Sequence, residues 1–171
     1  MDMEARGHSE HPEALRLWLR LLTCTQLVEK QVRTQLREQF DTTLPRFDLM
    51  AQLERNPEGL KMNELSRRMM VTGGNVTGIT DQLVGEGVVE RLEVDGDRRA
   101  YRVRLTATGR KVFGDMARQH EGWIVAAFEA LSPREVESFY KLLGKVKQGQ
   151  QPFRPGSQHP AIGLDEKLET A

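Results

Sequence analysis

A single cysteine, Cys24, stands among 171 residues, which excludes an internal disulfide. The four histidines, His8, His11, His120 and His159, fall without the spacing that metal ligands need, so neither a metal nor a cofactor is expected. No apolar run approaches the roughly 20 residues that cross a bilayer. No signal peptide is recognisable either, so a cytoplasmic protein is expected. Net charge is also missing, with 25 Lys and Arg against 25 Asp and Glu; the chain as a whole has no positive field of the kind that draws proteins to nucleic acid. No glycine-rich phosphate loop follows a strand, and no set of residues supplies a nucleophile with its base. The chain does not read as an enzyme.

What is present is a succession of helices interrupted once. The length suits one domain with a substantial core. Residues 1–10 are polar and expected to be disordered. From Pro12 to about Phe40 the chain reads as one long helix, with Leu15, Trp18, Leu19 and Leu22 on an apolar stripe. That stripe exceeds what one small domain can cover, which implies a second subunit. Thr42-Thr43-Leu44-Pro45 opens a second helix, with proline tolerated in the first turn. It turns Phe47, Met50 and Leu53 inward, runs to about Arg55 and ends at Asn56-Pro57-Glu58-Gly59. A third helix covers Met62 to Met70. A fourth runs from the cap residue Thr72 to about Glu86 and stops at Gly87.

The interruption follows. Val88–Val94 and Ala100–Leu105 are strand-like runs around a glycine-containing turn, the pattern of a β-hairpin. Its tip carries Asp95, Asp97, Arg98 and Arg99. Between Arg91 and Arg104 the arginines are 91, 98, 99, 102 and 104, against the acids 93, 95 and 97, so the hairpin is locally positive. After it, Thr106 or Thr108 starts a helix reaching about Leu131. Ser132-Pro133-Arg134-Glu135 then forms a capping box that opens a last helix through Lys147. Residues 149–171, rich in proline and poor in apolar groups, are expected to be disordered. Two helices joined by a short turn, followed by a hairpin with arginines at its tip, describe a winged helix-turn-helix that reads DNA. The expected fold is mainly α with a small two-stranded β wing. Residues 45–105 form the DNA-binding lobe, and 11–44 with 106–148 form N- and C-terminal dimerisation helices.

The fourth helix is the expected recognition helix. Val76, Ile79 and Leu83 recur as a buried stripe and leave Gly74, Asn75, Thr77, Gly78, Asp81 and Gln82 outward. The N-terminal half of such a helix reaches base edges. Asn75 can pair bidentately with adenine, and Thr77 can bond a base or touch a thymine methyl. Gly73 and Gly74 let backbone N–H groups approach phosphate closely. On the wing, Arg98 is placed in the minor groove, where a narrow A·T-rich stretch concentrates negative potential. Asp97 either orients it or caps the turn, while Arg99, Arg102, Arg67 and Arg68 are candidates for phosphates.

Asp97-Arg98-Arg99, followed by Val103-Arg104-Leu105-Thr106 and Gly109, resembles the wing motif of the MarR family of bacterial transcriptional regulators, and the likeness spans roughly residues 12–147. Residues 39–50 and 70–77 are further similar to a branch controlling aromatic-acid catabolism. The resemblance implies a homodimer that represses transcription from an inverted-repeat operator and is released by a small effector. In this family the effector cavity lies between dimerisation helices and DNA-reading lobe. Arg16, Trp18, Arg20, His120 and Trp123 are the residues expected to line it. Arginines beside aromatics suit an aromatic carboxylate or the phosphates of a coenzyme A thioester. Many members carry an arginine where Gly78 stands here. Some sense peroxide through a cysteine in the first helix, which makes Cys24 the alternative switch; its neighbours Leu22, Thr23, Thr25 and Gln26 supply no positive charge to lower its pKa.

Overall fold

In a computed structural model of the chain, residues 12–69, 73–94 and 97–149 are described, with the backbone alone over 94 and 97–100. The expectations for residues 1–10, for all of 149–171 but Gly149, and for Thr72 fall outside that range. The chain divides into two compact units, Met1–Glu129 and Ala130–Ala171.

Helix α1, Pro12–Phe40, is the long leading helix, with Val32 and Leu36 buried near its C-terminal end. It stops where Asp41 adopts a left-handed φ of +47°, a conformation that aspartate tolerates better than most residues. Helix α2, Leu44–Glu54, follows, with Thr43 at the N-cap and proline in the first turn, burying Phe47, Leu49, Met50 and Leu53. A tight turn closed by Gly59 N–H donating to the Asn56 carbonyl (2.8 Å) leads into a two-residue strand β1, Leu60–Lys61, and then helix α3, Met62–Met69. Gly59 has a φ of +82°, and a Cβ there would lie 2.8 Å from the Val103 carbonyl oxygen. Glycine is required on both counts.

Helix α4, Gly73–Gly85, buries Val76, Thr80 and Leu83. It ends in paired bonds, Gly87 N–H to the Val84 carbonyl (3.0 Å) and Val88 N–H to the Leu83 carbonyl (3.1 Å). This is the closure that a glycine at left-handed φ permits, and Gly87 sits at +71°. Strands β2, Val89–Val94, and β3, Asp97–Leu105, form the expected hairpin. The two-stranded wing is corrected in one respect. The sheet has three strands in the order β1-β3-β2, with β1 antiparallel to β3 through Leu60↔Val103 and Lys61↔Arg102. Two residues leave no periodic trace in sequence, and their partner lies some forty positions away.

Thr106 caps helix α5, Ala107–Ala127, accepting from Gly109 N–H (2.9 Å) while donating to the Gly87 carbonyl (2.8 Å). The helix ends at Ala127 rather than near Leu131, since the Phe128 and Glu129 N–H groups bond back to Val125 and Ala126 carbonyls in a tightened turn. The core of this unit gathers Leu36, Leu49, Met50, Leu53, Leu65, Val76, Leu83, Val103 and Met116. In the second unit, helix α6, Pro133–Gln148, opens with the expected capping box. Ser132 N–H donates to Glu135 Oε2 at 2.8 Å, and Ser132 Oγ accepts from Glu135 N–H. The Ser132 hydroxyl also donates to Glu135 Oε2 at 2.6 Å, and this bond together with the one from the Ser132 N–H holds the Glu135 carboxyl below its ordinary range.

Candidate nucleic-acid interface

Helix α4 presents two faces. Val76, Thr80 and Leu83 are buried while Gly74, Asn75, Thr77, Gly78, Asp81 and Gln82 are all exposed. The seam is slightly different from the expected stripe: Thr80 is fully buried, its hydroxyl 3.9 Å from Met62 Sδ on α3, and Ile79 is half-buried. The hydroxyl of Thr77 donates to the Gly73 carbonyl at 3.0 Å. Its proton is therefore engaged within the helix, leaving the oxygen lone pairs and the methyl group outward. Asn75 is exposed on the same face. On α3, Arg67 and Arg68 are exposed in the last turn. Arg68 reaches back to Asn56 Oδ1 (3.2 Å) and stands 3.9 Å from Glu64, which ties α3 to the turn after α2.

Asp97, Arg98 and Arg99 begin β3, with Asp97 paired to Val94 across the hairpin; their side chains lie outside the described atoms. Arg102 is paired on both edges, to Leu92 and to Lys61. Arg104 bonds Glu90 on the neighbouring strand at 2.7 Å. Two ion pairs escape a reading of the sequence. Arg91 on β2 pairs with Asp81 on α4 while its guanidinium carbon stands 4.9 Å from the Tyr101 ring centre. Arg46 on α2 pairs with Glu86 beyond the end of α4. Each joins residues with opposite charges, but nothing local in the sequence couples position 81 to 91 or 46 to 86.

The residues expected to line an effector cavity separate into two groups. His120 stacks on Phe47 (4.8 Å between ring centres) and meets Trp123 edge-on at 6.3 Å, while Trp123 lies 6.4 Å from Phe40. Burial lowers the pKa of His120, partly offset by the Asp48 carboxylate. Burial raises that of Asp48 against the opposing pull of His120 and Arg33. Arg16, Trp18 and Arg20 sit toward the other end of α1, where Trp18 is 55% exposed. Trp18 precedes Phe40 by 22 residues in one continuous helix, a separation of about 33 Å at 1.5 Å per residue. One chain does not bring these groups together. A cleft of about 330 Å³, which shares Phe40 with the aromatic group, opens between Phe40, Thr42, Arg46, Met50, Glu86 and Met116, and the Nε–H of Arg46 is buried without a protein acceptor. Cys24 is exposed midway along α1. Among the described residues, no cluster of three or more His, Cys, Asp or Glu could hold a metal, and no helix is long and apolar enough to cross a membrane.

The arrangement of α2, α3 and α4 against a three-stranded antiparallel sheet defines a winged helix-turn-helix protein. A MarR family model matches residues 40–100. A MarR family transcriptional regulator from Silicibacter pomeroyi is 31% identical; the match covers 84% of this chain and 100% of that one, with a TM-score of 0.68. The structure of Sco3205, a MarR family regulator from Streptomyces coelicolor solved in complex with DNA, superposes with a TM-score of 0.72 at 24% identity, covering 88% of this chain and 94% of that chain. The HTH-type transcriptional repressor YetL of Bacillus subtilis is 29% identical over 106 residues, 62% of this chain and 64% of its own. The chain belongs to the MarR family of transcriptional regulators.

Proposed function

We propose that the protein binds an inverted-repeat operator as a homodimer and represses transcription until a small effector releases it. The exposed N-terminal half of α4 is the observation that carries this reading. Gly74, Asn75 and Thr77 project from a helix whose opposite face is locked into the core through Val76, Thr80 and Leu83. Such a helix enters a major groove, with Asn75 facing adenine and the Thr77 methyl facing thymine. Arg98 enters the adjacent minor groove, and Arg67, Arg68, Arg99 and the start of α4 next to Thr72 contact phosphates. The DNA complex of Sco3205 and the repressor YetL are consistent with this reading.

The dimer is formed through helices outside 45–105. On α1, Leu17, Trp18 and Leu27 are exposed, and on α6 so are Phe139, Tyr140 and Leu142; a second copy would cover them. Two recognition helices must then stand about 34 Å apart to occupy successive major grooves. Modest reorientation of the lobes is enough to lose both half-sites. The effector is an aromatic acid or its coenzyme A thioester, held near His120 and Trp123. Arg16, Trp18 and Arg20 reach that place only from a second copy. An effector acts through its differential affinity for the two arrangements.

Anisotropy titration of the full chain against duplex DNA from its own promoter region tests the DNA reading. Adding a panel of benzoates, cinnamates and their coenzyme A thioesters to the preformed complex tests the effector. Release by a thioester at concentrations where the free acid fails identifies the phosphates as the recognised group. Release by none removes the ligand class and leaves DNA binding intact. Under the effector reading, Cys24→Ser releases as the parent does; loss of peroxide-triggered release in that variant would favour an oxidative switch.

A further inference from the structure

Asp81 lies one helical turn beyond Thr77 on the exposed face of α4, where an unpaired carboxylate would face the negative DNA backbone. It is not unpaired. Arg91 reaches across from β2 to bond it, and the same guanidinium lies over the Tyr101 ring on β3, within the roughly 6 Å at which a cation and an aromatic face attract. The two side chains remain 40% and 54% exposed, and ion pairs this exposed contribute little to folding. Stability therefore does not account for the arrangement. Its geometry spans the two elements that meet DNA, the recognition helix at one end and the wing strands at the other.

We propose that Arg91, held by Tyr101, is a positioning residue for DNA binding that acts through Asp81, masking its carboxylate from phosphate and tying α4 to the wing. The proposal rests on the DNA-binding reading above. It differs from direct phosphate contact in one measurable respect, since the effect of removing Arg91 must depend on whether Asp81 is present.

The test is a double-mutant cycle in the full chain. The ligand is a duplex enriched by the parent protein from a random-sequence pool, and binding is measured at several salt concentrations. Arg91→Ala is expected to weaken binding about tenfold, because it leaves a like charge opposite the DNA. In the Asp81→Ala background the same change is expected to alter Kd by less than about threefold. The dependence of log K on log salt stays parallel to that of the parent, and the thermal midpoints of all variants agree. Arg91→Gln, which keeps a polar side chain in place of the arginine, is expected to give the same order should Arg91→Ala fold poorly. A tenfold loss that persists without Asp81, with a salt slope reduced by about 1, makes Arg91 a phosphate contact and overturns the proposal. So does an Arg91→Ala variant that binds as the parent does. Failure of the parent to enrich any duplex would sink the DNA reading itself, together with the inference built on it.

Discussion

Asn75 and Thr77 share an exposed turn of α4 but offer DNA different chemistry. Thr77 has spent its proton on the Gly73 carbonyl, so it presents acceptors and a methyl, whereas Asn75 presents a donor and an acceptor together. Asn75→Ala should therefore cost roughly 1–3 kcal/mol of operator affinity and relax preference at one base position per half-site. Equal weakening on all sequences would make it a phosphate contact instead. Arg98→Ala should cost a similar amount, roughly 1–3 kcal/mol, while the protein stays folded; unchanged affinity at fixed salt would remove the wing tip from the interface. His120 allows a prediction about pH. Its pKa in the folded chain is lowered from 6.5 by burial, so it stabilises the fold above that value and the contribution is lost as pH falls. Asp48, raised from 3.8, has the opposite sign: its contribution is present in acid and lost as pH rises through its folded value. Thermal midpoints in an Asp48→Asn background should fall as the solution is acidified below about pH 6.5, and His120→Gln should flatten that fall. The exposed positions of α4 were readable because a 3.6-residue period divides buried from outward side chains. The stacking of His120 on Phe47 was not, since it joins residues 73 positions apart and only tertiary packing brings them together.

At the scale of elements, helix boundaries were legible wherever a cap or a glycine marks them. Thr106, Ser132 and Gly87 each fall where the chain turns, and each makes the bond that its chemistry suggests. Gly109 shows what a motif residue contributes beyond its name. A Cβ at that position would stand 1.9 Å from the Val88 carbonyl oxygen, so the first turn of α5 rests directly on the chain leaving α4. Gly109→Ala should destabilise the fold by about 1–3 kcal/mol or more, as overpacking against an unyielding backbone does. Chemical denaturation would show a lowered midpoint; an unchanged midpoint would mean that this corner yields easily. Strand β1 escaped the sequence because Leu60 and Lys61 are too few to alternate, and because their ladder partner is chosen by the fold and not by neighbours.

For the molecule as a whole, equal numbers of acidic and basic residues conceal a local imbalance, and among the described residues a long helix carries exposed apolar side chains. The sequence pointed to a partner through that surplus alone, without fixing the geometry of pairing. Removing residues 1–30 takes away Leu15, Trp18, Leu19 and Leu22. Light scattering on the truncated chain should then find monomer or insoluble protein with no specific operator binding. A truncated dimer of normal affinity would contradict the architecture. The middle position of β3 has a further consequence. Its register is fixed at the end away from the tip, by Leu60↔Val103 on one edge and Val89↔Leu105 on the other, so insertions or deletions between β2 and β3 need not disturb the helix-turn-helix. In a diverging lineage the tip can gain or lose residues while the scaffold that carries it is inherited unchanged.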